Sequence, residues 1–185
     1  MLSVRPLEPP VVPDEADQRV LMHGLSYRDY EMMLLLRGGD RPVPRIAFAE
    51  GVLELKSPSW NHEALKKTLA RLLEAYAEER DLDLNGFGSW TLKNPTVERG
   101  AEPDECYALG PRREVPDLVI EVVWTRGGRD KLKLYAQLGV PEVWMWRRGQ
   151  IEVHRLEGEA YTEEAQSALI PELDLEHLAS FLGAQ

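Results

Sequence analysis

The sequence predicts an α/β fold in which one mixed β-sheet is flanked by helices. Short strand patterns alternate with segments of helical periodicity, the segment 117–123 is apolar on both faces, and 43% of the 185 residues are hydrophobic. A strand that buries both faces is typical of the centre of a sheet covered by helices. We therefore expect 117–123 to be the central strand.

Capping residues, turns and periodicity place the other elements. Ser26 can cap a first helix that Gly38 ends, and Glu50-Gly51 joins the next two strands as a hairpin turn. The longest helix carries apolar residues at spacings of three and four. The predicted helices span about 27–37, 60–80, 129–138 and 174–182, and the remaining predicted strands span about 45–49, 52–55, 82–87, 89–92, 143–146 and 151–156.

The chain length suits one domain with its own core. We expect residues 1–20 to form a flexible N-terminal segment, because Met1 to Asp17 is proline-rich, acidic and without apolar periodicity. Residues 21–185 then form a single domain. Neither a signal peptide nor a run long enough to cross a bilayer is recognisable, and Cys106 is the single cysteine, which excludes a disulfide framework. These features predict a cytoplasmic protein without a membrane partner.

Charge and motifs exclude several functional classes. The net charge of −10 disfavours a protein that coats DNA, and the basic clusters, such as Lys66-Lys67 and Arg112-Arg113, favour a solvated surface over a DNA groove. The sequence contains no phosphate-binding P-loop, no dinucleotide fingerprint and no nucleophile elbow. The four histidines lack the paired spacing of a zinc peptidase.

Acidic residues on two predicted neighbouring strands are the main functional signal. Asp117 and Glu121 share one face of a strand, but four residues separate them by roughly 13 Å. Asp104, on the adjacent strand, can lie opposite Glu121, because paired positions are only about 5 Å apart. Asp104 and Glu121 are therefore the better pair, and Asp117 is interpreted as a strand-entry residue after Pro116.

Glu121 lies in so apolar a strand that it needs a partner, either a metal ion or an arginine. Lys131 follows ten positions later (131 − 121) at a helix start, where its charge can act on a phosphate or an attacking water. Carboxylates and a lysine together are what a hard divalent cation and a phosphate require. The pattern indicates a metal-dependent nuclease. His62 faces inward near the start of the long helix, and both a core histidine and a proton relay stay open for it.

Four segments resemble the Uma-two family, within the PD-(D/E)xK restriction-endonuclease-like superfamily. They are 51–59 with His62, 99–107, 116–122 and 130–144, so that the resemblance extends over most of the chain. The superfamily motif is Pro-Asp, a spacer, then Glu-x-Lys. Pro103-Asp104 and Glu121 match it, but Val123 stands where the lysine is expected. The family takes this lysine from the following helix, which here corresponds to Lys131.

The resemblance implies a restriction-endonuclease-like fold and hydrolysis of phosphodiester bonds in DNA with Mg²⁺ or Mn²⁺ as cofactor. Asp104 and Glu121 would hold the metal, Lys131 would position the attacking water or stabilise charge, and Glu54 and His62 would support them. Two alternatives stay open: a catalytically silent interaction or regulatory module with this fold, and a hydrolase of a small phosphodiester. A homodimer also stays open.

Overall fold

The structure, a computed structural model, describes residues 16–39, 41, 43–123 and 129–182, except for the side chains of residues 129 and 130. Within these residues the chain forms four helices and eleven strands. The helices are α1 (Tyr27–Arg37), α2 (Trp60–Glu79), α3 (Arg129–Leu138) and α4 (Leu175–Ser180). The strands are β1 (Gln18–His23), β2 (Arg45–Ala49), β3 (Val52–Ser57), β4 (Leu84–Gly86), β5 (Leu92–Asn94), β6 (Arg99–Ala101), β7 (Glu105–Leu109), β8 (Leu118–Val122), β9 (Glu142–Arg147), β10 (Gln150–Glu157) and β11 (Ala160–Glu164).

The first sheet has five strands in the order β1-β3-β2-β6-β5, all paired antiparallel. Helix α1 begins at a capping box, in which Ser26 and Asp29 each accept a hydrogen bond from the other's backbone N–H. Its buried tyrosines, Tyr27 and Tyr30, pack on one face of this sheet against Phe48. The opposite face of the sheet is therefore left for the other half of the molecule.

The second sheet has six strands in the order β11-β10-β9-β8-β7-β4. Its pairs are antiparallel except for β8 and β9, which are parallel and connected through α3. All five residues of β8 are buried. Helix α2 packs on one face of the sheet, against Leu118 and Ile120, and α3 packs on the other, against Val119. Burial on both faces explains why this strand lacks the polar alternation of an exposed sheet.

The predicted α/β fold class is confirmed, and so is the central strand, which is β8. The strands divide into two hydrogen-bonded sheets where the sequence predicted one. The reason is the short link from β6 to β7, which leaves the first sheet at Ala101 and enters the second at Glu105. Among the described residues, no helix is long and apolar enough to cross a membrane.

Three strands, β1, β6 and β11, were not predicted, and β1 changes the limits of the N-terminal segment. Strand β1 begins at Gln18 and pairs with β3, so residues 18–20 of the expected flexible segment belong to the first sheet. Residues 1–15 lie outside the described residues. Strand β1 is an edge strand with Val20 and Leu21 more than half exposed, and β11 is the edge of the second sheet. Edge strands with exposed apolar residues lack the alternation by which a strand is recognised in sequence.

Candidate active site

Asp104 and Glu121 occupy neighbouring register positions at the edge where the two sheets meet. Glu105 pairs with Ile120, and one further step along this antiparallel register brings Asp104 opposite Glu121. The backbone N–H of Val122 donates to Asp104 Oδ2 at 2.7 Å. Both carboxylates are buried, with Asp104 0% and Glu121 1% exposed. Because carboxylates at this depth require compensating partners, the surrounding residues determine what the pair can do.

Helix α3 supplies the partners of Glu121. Lys131 Nζ lies 2.5 Å from Glu121 Oε2, and the Tyr135 hydroxyl, one helical turn later, donates to Oε1. Burial alone would raise the pKa of Glu121, but the charges of Lys131 and Lys56 outweigh burial and hold the pKa well below its usual range. Burial, together with the charge of Glu121, raises the pKa of Tyr135 well above its ordinary value, so the hydroxyl stays a donor. Glu121 is therefore ionised and fixed at both oxygens.

Three side chains of the first sheet and α2 surround Asp104. Arg45, from β2, forms an ion pair with Oδ1, and Lys56 Nζ, from β3, lies 3.4 Å from the same oxygen. His62 Nε2, in the first turn of α2, lies 3.0 Å from Oδ2. Arg45 also donates to Glu63, at 2.7 Å. Asp104 thus lies where the first sheet, the second sheet and α2 converge.

Lys56 was missed in the sequence, although it is the most deeply buried lysine among the described residues, at 2% exposed. It faces Asp104 and lies 3.7 Å from Asp17 Oδ2. Burial and then the charge of Lys131 lower the pKa of Lys56 to about 7. Alternation in β3 was the available signal, since Leu53 and Leu55 fix one face and leave Lys56 on the other. The lysine looked solvent-exposed because nothing in the local sequence places a second layer over that face.

Asp17 was also missed, and it is the residue by which the N-terminal end of the described chain reaches this site. Its side chain is 1% exposed, and its Oδ2 lies 3.0 Å from His62 Nδ1. Its Oδ1 accepts from the backbone N–H of Ser59, the N-cap of α2. Burial alone would raise the pKa of Asp17, but the hydrogen bonds with His62 and Ser59 and the charge of Lys56 hold it well below its usual range. A carboxylate–imidazole–carboxylate chain therefore runs from Asp17 through His62 to Asp104.

Both alternatives left open for His62 describe part of its environment. It is a core residue, 0% exposed, and it also connects two carboxylates. Burial lowers the pKa of His62, and the charge of Lys56 acts in the same direction, whereas the hydrogen bond with Asp17 opposes them. His62 is thus positioned to orient Asp104 through its contact with Oδ2.

Glu54 lies apart from this cluster. It is two positions from Lys56 on the same face of β3, and its ion-pair partner is Arg19, at 3.8 Å. Among the described contacts, none joins Glu54 to Asp104 or Glu121. Glu54 instead lines a cavity of about 430 Å³ whose wall also contains Lys131. Lys131 lines the cavity and contacts Glu121, whereas Asp104 and Glu121 are not part of the cavity wall.

The remaining polar residues of the motifs have structural partners. Lys133 is exposed and lies 2.5 Å from Glu50, so it points away from Glu121 as its helical position predicts. Asp117 accepts from the backbone N–H of Leu109 at 2.9 Å and from Arg113 at 3.0 Å, which agrees with a strand-entry role. Arg126 and the side chain of Asp130 lie outside the described residues.

The donor set around Asp104 and Glu121 fits Mg²⁺ or Mn²⁺ better than zinc. Among the described residues no group of three or more His, Cys, Asp and Glu could hold a metal ion. A structural zinc site needs four such ligands, whereas Mg²⁺ is commonly held by one or two carboxylates and completes its shell with water and substrate phosphate. Two buried carboxylates that already face cations provide the negative charge for such an ion. The metal ion would replace cationic side chains that now contact the carboxylate oxygens of Asp104 and Glu121.

Comparisons with known proteins agree with this architecture. The family model described as "Uma2: Putative restriction endonuclease" matches residues 27–182. A solved structure of "a putative nuclease belonging to DUF820" from Anabaena variabilis has a TM-score of 0.57 and 17% sequence identity, and the match covers 80% of this chain and 96% of that chain. At this identity the likeness is one of fold, and it is a restriction-endonuclease-like fold. No curated protein matches the chain.

Proposed function

The chain belongs to the Uma2 family, whose description is "Putative restriction endonuclease". We propose that it is an endonuclease that hydrolyses phosphodiester bonds of DNA with a divalent metal ion. The observation that carries this proposal is the placement of Asp104 and Glu121 at adjacent register positions, with Lys131 Nζ 2.5 Å from Glu121. Two buried carboxylates, one of them paired with a lysine that lines a cavity, are suited to phosphodiester hydrolysis. A purely structural ion pair does not need access to a cavity.

In this proposal Asp104 and Glu121 hold Mg²⁺ or Mn²⁺. When bound, such an ion polarises the phosphoryl oxygen and lowers the pKa of a coordinated water. The donor chemistry supports this assignment, since carboxylate oxygens are the ligands that both ions prefer. Arg45, Lys56 and Lys131 neutralise the same carboxylates in the described conformation. The metal and these side chains therefore compete for the same oxygens.

The side chains around the two carboxylates have separate roles. Lys131 reaches the cavity, so its ammonium stabilises the negative charge that develops on the phosphate. Lys56, with its pKa lowered to about 7 and its Nζ 3.4 Å from Asp104, exchanges a proton near neutral pH beside that carboxylate. His62 contacts Asp104, and Tyr135 donates a hydrogen bond to Glu121. These two side chains hold the carboxylates in place.

The cellular setting of this activity is part of the proposal. We place the protein in the cytoplasm, where thiols stay reduced. The buried thiol of Cys106 has no disulfide partner, which is compatible with that compartment. A homodimer is compatible with the edge strands β1, β5, β11 and β4, which have no partner on their outer sides within the described chain.

A cleavage assay tests the proposal. Supercoiled plasmid and single-stranded DNA are incubated with the protein and Mg²⁺, Mn²⁺ or EDTA. We expect cleavage that depends on the metal and is lost in Glu121→Gln, which preserves the shape of the side chain. Glu142→Gln is a matched control, because Glu142 is equally buried but binds Trp144 and Ser167 elsewhere in the second sheet. Cleavage that survives in Glu121→Gln would contradict the assignment.

Metal binding is tested separately by thermal unfolding. A ligand that binds the folded state alone raises the melting temperature by mass action. We expect Mn²⁺ to raise the melting temperature of the wild type and to have little effect on Asp104→Asn. The same shift in both proteins would place the metal elsewhere.

One observation favours a second candidate, a catalytically silent module with the same fold. Each carboxylate already has cationic partners, so the site is stable without a metal ion. In that case neither cleavage nor a Mn²⁺-dependent shift would be seen. The two assays above therefore distinguish the candidates.

A further inference from the structure

The cavity beside Lys131 has an apolar floor. It lies between the β2–β3 hairpin, β1 and α3, on the face of the first sheet opposite α1. Ala47 and Ala49 line it from β2, and Val52 lines it from β3. These side chains are small and sit at paired positions, since Ala49 is opposite Val52 and Ala47 is opposite Glu54. A flat aromatic group can lie on such a floor without displacing the backbone.

The charges around the cavity favour an anionic group of the ligand at the rim and a hydrogen-bond donor of the ligand inside. Three cationic side chains line it, from Arg19, Lys131 and Lys133, against two carboxylates, those of Glu50 and Glu54. This excess of cations contrasts with the net charge of −10 for the whole chain. Glu50 and Lys133 are both more than half exposed and form the outer rim, whereas the Glu54 side chain is 21% exposed. Glu54 is thus the acceptor that faces the interior.

The cavity volume of about 430 Å³ limits the ligand to about the size of a single nucleotide. It lies toward the lower end of the range of about 300–1,000 Å³ that small-molecule sites occupy. A DNA duplex does not enter such a cavity, since its major groove alone is about 12 Å wide. One unpaired nucleotide does, with its base on the apolar floor and its phosphate beside Lys131.

We propose that this cavity holds the base of an unpaired nucleotide and that Glu54 selects bases that carry an exocyclic amino group. The inference rests on the proposed nuclease function for its substrate class. A carboxylate is an acceptor only, so it pairs with the exocyclic amino group of cytosine, adenine or guanine. Uracil and thymine present a carbonyl oxygen at the position of the cytosine amino group, where the carboxylate would meet a second acceptor. Glu54 is then a specificity-determining residue rather than a metal ligand.

Fluorescence anisotropy with labelled single strands tests this inference. The strands are oligo(dC) and oligo(dU) of about 12 nucleotides, within the usual site size for single-strand binding. Their bases have the same size but differ at one position, where cytosine carries an amino group and uracil a carbonyl oxygen. Binding is measured in EDTA, so that it depends on neither metal nor cleavage. We expect the wild type to bind oligo(dC) about 5-fold or more tightly than oligo(dU), and to bind duplex DNA more weakly than oligo(dC).

Two pairs of variants assign the effect to the cavity. Glu54→Gln keeps the side-chain shape but adds a donor, so the ratio of the two affinities should fall to about one. Glu50→Gln removes the same charge from the cavity rim and should keep the ratio of the wild type. Val52→Phe fills the floor and should weaken binding of both strands, whereas Val20→Phe, at an exposed position of the edge strand β1, should not. Melting temperatures verify that each variant is folded.

Equal affinity of the wild type for the two strands would overturn the inference, and so would a ratio that survives in Glu54→Gln. Unchanged binding by folded Val52→Phe would show that the nucleotide does not bind in this cavity. Failure of the proposed function is distinct, because a protein that shows the Glu54-dependent preference without cleaving DNA supports the binding site alone. A protein that cleaves DNA without this preference is a nuclease whose specificity lies elsewhere.

Discussion

Asp17 and His62 are 45 positions apart (62 − 17) but lie 3.0 Å from each other, from Asp17 Oδ2 to His62 Nδ1. The contact ties the residue before β1 to the first turn of α2, and His62 in turn contacts Asp104. The N-terminal end of the described chain is therefore part of the candidate site. The carboxylate of Asp17 can influence Asp104 through His62, which contacts both.

The first prediction concerns Asp17→Asn. The pKa of Asp17 is lower in the folded state than in the unfolded chain, so its carboxylate contributes stability above the unfolded value of about 3.9, and this contribution is lost as the pH falls. We expect the substitution to lower the free energy of unfolding at pH 7 by about 1–3 kcal/mol. The difference from the wild type should shrink toward pH 3, as measured by urea unfolding.

Asp174→Asn is the matched control for this experiment. Asp174 also accepts a backbone N–H at a helix start, from His177, but it lies at α4. Asp17→Asn should exceed this control in its effect at pH 7. A loss of stability at pH 7 that persists unchanged at pH 3 would show that the charge of Asp17 is not responsible.

The second prediction separates the two lysines of α3. If Lys131 acts on the phosphate, Lys131→Ala should reduce the rate of DNA cleavage by about 10²–10³-fold, the usual effect of removing one well-placed donor. Lys133→Ala should leave the rate near that of the wild type, because Lys133 pairs with Glu50 at the surface. Circular dichroism should show that both variants are folded. Full cleavage by Lys131→Ala, or equal damage from Lys133→Ala, would remove Lys131 from the catalytic set.

The third prediction follows from the pKa of Lys56, which is about 7 in the folded protein and about 10.4 in an unfolded chain. Between these values the unfolded chain binds more protons, so stability should rise with pH. Compared with Lys56→Met, the wild type should therefore gain stability from about pH 6.5 to 9.5. The gain should reach a few kcal/mol, since one pKa unit corresponds to about 1.36 kcal/mol.

Lys133→Met controls for the loss of a lysine at the surface. Its stability relative to the wild type should change little over the same interval, because an exposed ion pair contributes less than about 1 kcal/mol. Parallel stability curves for the wild type and Lys56→Met would mean that Lys56 keeps an ordinary pKa, and its proposed proton exchange near neutral pH would then fail.

The fourth prediction tests the packing of α1 on the first sheet. A Cβ atom at Gly100 would overlap the ring and hydroxyl of Tyr30, which is 0% exposed. Gly100→Ala should lower the free energy of unfolding by about 1–3 kcal/mol, the usual cost of overpacking. Gly39→Ala is the control, since a Cβ atom there meets nothing within 4 Å. Equal stability of the two variants would show that Tyr30 moves away at little cost.

Most of the secondary structure follows from the sequence because its signals are local. The cap at Ser26, the apolar stripe of α2 and the apolar run of β8 are each confirmed in the structure. Strand parity also brought Asp104 opposite Glu121, because pairing in a sheet fixes which side chains are neighbours. Lys131 followed from its place at a helix start next to that strand.

The sequence by itself therefore determined the fold class and the central strand, and it predicted the pair of acids from spacing along the chain. Only the tertiary structure decided that Asp17, Arg45 and Lys56 join them. Arg45, on β2, and Lys56, on β3, contact Asp104 directly, whereas Asp17, just before β1, reaches it through His62. These contacts depend on how the first sheet packs on the rest of the molecule. Local periodicity does not encode that packing. It depends on which apolar faces cover one another, and burial there turns ordinary surface residue types into the charged partners of a buried carboxylate.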